Sequence, residues 1–135
     1  MEKSELIQKI NKYFRGRPEV AAVYLFGSYA ADVQQPESDM DLGILFYHEL
    51  AEQFYDYIEV YLTELPRVIR KDIHPVIMNG AGELLAKQIL GKGKCIHVKD
   101  ERALATYKMY MYSMIAEFSY YQKMIKAGFV RSVMG

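Results

Sequence analysis

Residues Val20 to Phe26 form an unbroken apolar run that leads straight into Gly27-Ser28. After ten further residues the chain reads Asp39-Met40-Asp41-Leu42-Gly43-Ile44-Leu45. This succession of strand, small-residue turn and strand constrains the fold more than any other stretch. A run rich in β-formers with no polar face suits a strand buried on both sides. Successive strand side chains point to opposite faces, so Asp39 and Asp41 share one face while Met40 turns away. Two carboxylates on one face repel unless a cation lies between them, and Mg²⁺ favours such hard oxygen donors. The Gly-Ser turn ahead of them can offer backbone N–H groups and a hydroxyl to phosphate oxygens. The pattern points to a metal–nucleoside triphosphate site.

Gly-Ser, ten residues, then Asp-x-Asp resembles the signature of the minimal nucleotidyltransferases, small members of the DNA polymerase β superfamily. Asn79, Glu83-Leu84-Leu85 and Ile89-Leu90-Gly91-Lys92-Gly93-Lys94 are similar to the second half of that family's pattern. The resemblance implies one α/β (α+β) domain of the polymerase-β-like palm type. Its nucleotidyltransferase core is expected over residues 1–99, as a mixed sheet with helices on one face. Residues 100–135 are expected to form a long C-terminal helix, packed on the core or on a partner. Asp39 and Asp41 would hold Mg²⁺, two ions in all, while Gly27 and Ser28 would contact the phosphates of ATP. For Ser28 the alternative is a cap on the short helix that follows.

The third acidic position departs from the family pattern. Members carry a further aspartate on the next strand, and anchoring on Asn79 puts His74 there. The nearest carboxylate, Asp72, lies two residues earlier and so on the same strand face. Three readings stay open: Asp72 reaches the site after a register shift, His74 serves as a base or metal ligand, or the site has lost its general base. A second departure is Ala31-Asp32, where family sequences continue Arg-Gly. A carboxylate there weakens triphosphate binding unless it points outward.

Elsewhere the pattern is regular. Leu6, Ile7, Ile10, Tyr13 and Phe14 recur at helical spacing, with Ser4 as N-cap and Arg15-Gly16-Arg17-Pro18 as terminator. Residues 49–65 are helical again, and Pro66 breaks that helix or opens a turn. Asp72 to Met78 reads as a strand that Pro75 pushes to a sheet edge. Glu83 to Leu90 is a short helix closed by Gly91, and Cys95 to Val98 a short strand. From Asp100 a helix runs to about Ala127, where Gly128 stops it. On it Leu104, Tyr107, Met111, Met114, Phe118, Tyr121 and Ile125 alternate three and four residues apart. Tyr110, Tyr112, Ala116 and Tyr120 lie outside that stripe. The stripe packs on the domain, or the helix offers a partner an aromatic and methionine-rich surface.

Charge and cysteine content narrow the partners. Seventeen basic residues balance seventeen acidic ones, so no basic stripe is available for a long nucleic acid. One cysteine, Cys95, excludes an internal disulfide framework and fits a reducing cytoplasm; it is expected as a small buried hydrophobe. No signal peptide or membrane-spanning apolar run is visible, which again suggests a cytoplasmic protein. His48 and His97 lack metal-like spacing and are expected at the surface or at strand ends. Lys92 and Lys94 are expected as solvated lysines of a helix-ending turn, because the fuller phosphate-loop pattern is missing.

The resemblance implies transfer of AMP from Mg-ATP to a hydroxyl. Many similar proteins are antitoxins paired with a HEPN-type toxin, where the acceptor is a toxin tyrosine. Neutral charge and the aromatic terminal helix suit a protein acceptor, with homo- or hetero-oligomers formed through that helix. Two alternatives are an antitoxin that works by contact alone and a small-molecule enzyme acting on an aminoglycoside-like acceptor.

Overall fold

The computed structural model describes residues 2–134, without the side chains of residues 51, 129, 130 and 132–134. Four strands form one mixed sheet: β1 (Val20–Phe26), β2 (Met40–Phe46), β3 (Ile73–Ile77) and β4 (Lys94–Val98), in the order β3-β2-β1-β4. β1 runs antiparallel to both β2 and β4, whereas β2 and β3 are parallel. A parallel neighbour needs a crossover. A 3-10 helix (His48–Gln53) followed by α3 (Phe54–Ile69) supplies it. The remaining helices are α1 (Lys3–Arg15), the four-residue α2 (Gly27–Ala30), α4 (Glu83–Lys92) and α5 (Glu101–Met134).

β1 is buried along its whole length, so both faces of the sheet must be covered. On one face Leu6, Ile10 and Phe14 of α1 join Phe54, Tyr61, Leu65 and Ile69 of α3 against Val23, Leu25, Leu42 and Ile44. On the other, Ile89 of α4 and Leu104 of α5 pack with Ala22, Tyr24, Phe26, Leu45 and Met78. The helices therefore occupy both faces, not the one face expected from the order of elements in the sequence. The all-apolar β1 is the physical reason, since a single helical layer would leave Tyr24 and Phe26 in water.

Element ends differ from expectation at Pro66, Gly91 and Gly128, none of which stops its helix. α3 continues through Pro66 and ends at Arg70, whose φ of 56° is left-handed. Pro66 lies in the last turn, so the one carbonyl it deprives is that of exposed Leu62, which water can reach. α4 passes Gly91 and ends at Gly93, where a Cβ would lie 2.3 Å from the Ile89 carbonyl oxygen. α5 runs through Gly128, beside which a Cβ would meet nothing within 4 Å. A lone exposed glycine weakens a helix without ending it. Ser4 lies inside α1, and Glu2 is its N-cap.

Pro75 does sit on an edge strand. His97, expected at the surface or at a strand end, is the penultimate residue of β4 and is buried, with its Nε2 lacking a hydrogen-bond partner. Cys95, expected to be buried, is exposed on edge strand β4. The start of β1 is pinned by buried Glu19, which accepts from the Tyr61 hydroxyl and, at 2.8 Å, from Arg17 Nε. Burial and that carboxylate raise the Tyr61 pKa, keeping the phenol protonated.

Candidate active site

The strand register decides which side chains meet. Phe26 opposes Asp41 across β1 and β2, and Gly27 follows immediately at φ +71°. A Cβ on Gly27 would lie 2.1 Å from Asp41 Oδ2. Only glycine admits both that backbone conformation and that approach. Gly27 thus forms one wall of a cradle for the Asp41 carboxylate. Ser28 follows inside α2, is half-buried, and does not cap it, since α2 has no side-chain cap hydrogen bond.

On the other side of β2, Asp41 is in register with His74 of β3. Parallel register partners point to the same face, and His74 Nδ1 lies 3.0 Å from Asp41 Oδ1. The structure therefore joins His74 to the carboxylate pair's strand at the position where the family pattern has its third aspartate. Asp72 stands one step before β3, its carbonyl accepting from the Met40 N–H at 3.1 Å. Its exposed side chain borders a shallow polar recess with Asp39, Arg70 and Lys71. Asp39 immediately precedes β2 and is exposed. Among the described residues no three potential metal ligands already converge.

Asp32 points away from this site. Its carboxylate meets Lys3 Nζ at 2.6 Å and Lys94 Nζ at 4.0 Å, and the Lys3 ammonium holds its pKa below the usual carboxylate value. Its φ of +58° is left-handed, which accounts for a glycine being the family's residue at this place. The lysines of the α4–β4 junction, Lys92 and Lys94, are exposed as expected, and so is His48.

Two contributors were not legible as such. Lys71 Nζ donates to the Pro36 carbonyl at 2.9 Å and lies 5.4 Å from the Tyr29 ring centre, tying down the loop that carries Asp39. Asn79 clamps β3 to β2: its Oδ1 accepts from the Phe46 N–H and its Nδ2 donates to the Phe46 carbonyl, both at 2.9 Å. The recurring Asn79 is therefore a register lock. A separate groove of about 800 Å³ lies at the far end of β2, between the 3-10 helix, the start of α4 and α5. Phe46, Tyr47, Tyr107, Tyr110, Met111 and Met114 give it a mainly apolar lining.

A glycine turn packed on a strand-borne aspartate, in a palm-like mixed sheet, defines a small nucleotidyl-transfer domain. The family model for "Polymerase beta, Nucleotidyltransferase" matches residues 8–102, and the chain belongs to that family. It is 31% identical over 80 residues to MJ1379 of Methanocaldococcus jannaschii, a protein named as a candidate protein adenylyltransferase; the match covers 54% of this chain and 80% of that one. A crystal structure of a toxin-antitoxin with AMP-PNP matches with a TM-score of 0.67 at 22% identity, over 96% of this chain and 98% of that chain. A tri-AMPylated Shewanella oneidensis HEPN toxin in complex with MNT antitoxin gives 0.64 at 20% identity, over 99% and 100%. At these identities the two structures share the fold with this chain.

Proposed function

We propose that the chain is a protein adenylyltransferase that moves AMP from ATP to a tyrosine hydroxyl of a HEPN-type toxin, as its antitoxin. The observation that carries this reading is the Gly27–Asp41 contact within a polymerase β nucleotidyltransferase fold. The named activity of the archaeal relative and the toxin complexes of its fold neighbours support the acceptor class.

Asp39 and Asp41 would hold Mg²⁺. The donor set fits, because Asp41 is fixed in a cradle and Asp39 lies on the same strand alternation. When bound, such ions offset charge on the attacking and leaving oxygens of an in-line displacement. Gly27 makes room for the Asp41 carboxylate beside the turn, and the Ser28 hydroxyl donates to a phosphate oxygen. The acceptor oxygen bonds to the α-phosphorus as the bond to pyrophosphate breaks, and its proton leaves through His74 or solvent.

The free half of α5 supports a helical partner. Its stripe follows an unbroken three-and-four spacing, the a/d seam of coiled-coil packing. Leu104 and Met111 are buried on the core, whereas Tyr121 and Ile125 are 53% and 71% exposed. Among the described residues no helix is long and apolar enough to cross a membrane. Transfer of label from α-phosphate-labelled ATP to a co-purified toxin tests the proposal, with Asp39→Asn/Asp41→Asn as control. An unlabelled toxin, with the two proteins still bound, overturns it.

His74 in the third acidic position favours one second reading: a weakened enzyme that neutralises its partner by contact. In that case the Asp39→Asn/Asp41→Asn protein protects cells from the toxin as well as the parent chain does.

A further inference from the structure

We propose that Lys71 is a positioning residue of the transfer site, whose single ammonium holds the Gly27-Ser28 turn and the loop carrying Asp39 in fixed relation. The inference rests on the nucleotidyl-transfer reading for what those two segments do.

The backbone around Lys71 is anchored on both sides. α3 ends at Arg70, where a left-handed φ of 56° and a hydrogen bond from the Arg70 N–H to the Pro66 carbonyl turn the chain off the helix axis. On the other side, the Asp72 carbonyl accepts from the Met40 N–H at 3.1 Å. Lys71 therefore starts from a point tied to Met40, the residue after Asp39. Its tip reaches the residues before Asp39: Nζ donates to the Pro36 carbonyl at 2.9 Å and approaches the Ser38 carbonyl at 3.5 Å. This one residue brackets Asp39 along the chain.

The loop needs such a tie. The Ser38 N–H donates to the Gln35 carbonyl at 3.0 Å and the Gln35 N–H to Ser38 Oγ at 2.9 Å, bonds that close a local turn and reach no strand. Gln35, Pro36 and Glu37 are exposed, so burial does not hold the turn in place. Lys71 supplies the link. The same ammonium lies 5.4 Å from the ring centre of Tyr29, a buried residue that directly follows Ser28. Nζ is thus in contact with both segments that the reaction brings to the triphosphate.

The chemistry of these partners calls for a cation. Carbonyl oxygens and the negative face of an aromatic ring all favour positive charge, and an ammonium offers three donors from one point. A neutral glutamine at this position keeps a donor but loses the attraction to the ring. An arginine keeps the charge, the ring contact and paired donors. Misplacing a reacting group by about 1 Å costs up to about 100-fold in rate. Transfer therefore depends on this link more than folding does.

Transfer of α-phosphate label to the co-purified toxin gives kcat and the KM for ATP, while amide exchange followed by NMR on the ligand-free chain reads the turn directly. Lys71→Gln should lower kcat by at least about tenfold, with the KM for ATP changed less than about threefold. The Ser38 amide should exchange at least about tenfold faster, and the melting temperature should stay within about 3 °C of the parent's. Lys71→Arg should recover most of the rate and of the exchange protection. Arg70→Asn removes the same charge one residue away, in a residue type that tolerates the left-handed φ, and should behave like the parent. The proposal is overturned by unchanged Ser38 exchange in Lys71→Gln, by equal impairment in Arg70→Asn, or by a loss of rate that only follows a loss of stability. Exchange separates the two ideas. Faster Ser38 exchange in Lys71→Gln, reversed in Lys71→Arg, beside a parent chain that labels no toxin leaves the bridge standing and removes the adenylyltransferase reading. A parent chain that labels the toxin, with Lys71→Gln its equal, does the reverse.

Discussion

At Gly27 a backbone conformation and a side-chain contact make the same demand. The residue is left-handed at φ +71°, and its missing Cβ is the space that Asp41 Oδ2 fills. Gly27→Ala should therefore cost about 2 kcal/mol or more from backbone strain and displaced carboxylate. Its transfer activity should fall even where the protein is folded. Denaturant melts and label transfer on the same preparation check both, and a fully stable, fully active alanine variant would show that the cradle is unimportant. Asp41→Asn keeps the shape and removes the charge, so stability should hold while transfer drops by at least about 100-fold. Much of this was legible in the chain: the spacing from Gly27-Ser28 to Asp39 and Asp41 already implied a shared face. The partner on β3 was not. Asp72 and His74 differ by two residues and share a face, so alternation cannot separate them. Register separates them, and that is fixed by Asn79 bonding both backbone groups of Phe46.

Among the elements, α5 carries the sharpest contrast between what it buries and what it leaves open. At ~1.5 Å per residue, its 34 residues span about 50 Å, more than the sheet can cover. Ala103, Leu104 and Tyr107 pack with the sheet and α4, and the Tyr107 hydroxyl donates to the Met78 carbonyl at 3.1 Å. Further along, the seam continues at Tyr121 and Ile125, which stay exposed among the described residues. Tyr121→Glu/Ile125→Glu should weaken toxin capture by at least about 2 kcal/mol, roughly 30-fold. Its melting temperature should stay within about 2 °C of the parent's, because neither side chain packs on the core. Titration calorimetry with the toxin and a thermal melt report the two effects, and unchanged affinity would move the interface elsewhere. The stripe was readable from its spacing, but the helix end was not. A glycine stops a helix when it adopts a left-handed cap with its own contacts, and those depend on surroundings that Gly128 lacks. Gly91→Ala, inside α4 with open space for a Cβ, should accordingly raise stability by about 0.5–1 kcal/mol, measurable as a higher melting temperature.

For the molecule as a whole, the decisive fact is that one strand, β1, is covered on both faces while its neighbour β4 lies at an edge. The apolar run implied the first half of that statement, and the helices of both layers follow from it. The consequence for β4 was hidden, because burial there depends on α1. Val23 of β1 pairs with His97, and the Asn11 side chain of α1 donates to the Ile96 carbonyl at 2.8 Å. This docking closes over the imidazole, leaving Nε2 unpartnered. Burial lowers the pKa of His97 from its ordinary 6.5, and the charges of Lys99 and Arg15 lower it further. The folded protein thus holds this ring neutral at a pH where the unfolded chain takes up a proton. Stability from this source is complete above the unfolded value of about 6.5 and is lost as the pH falls below it through the folded pKa. His97→Phe removes the proton acceptor along with the unpartnered nitrogen. The parent chain should lose denaturant stability from pH 7 to pH 5, and His97→Phe should flatten that slope. Urea midpoints measured at both pH values for the two proteins decide it, and parallel slopes would transfer the acid sensitivity to another group.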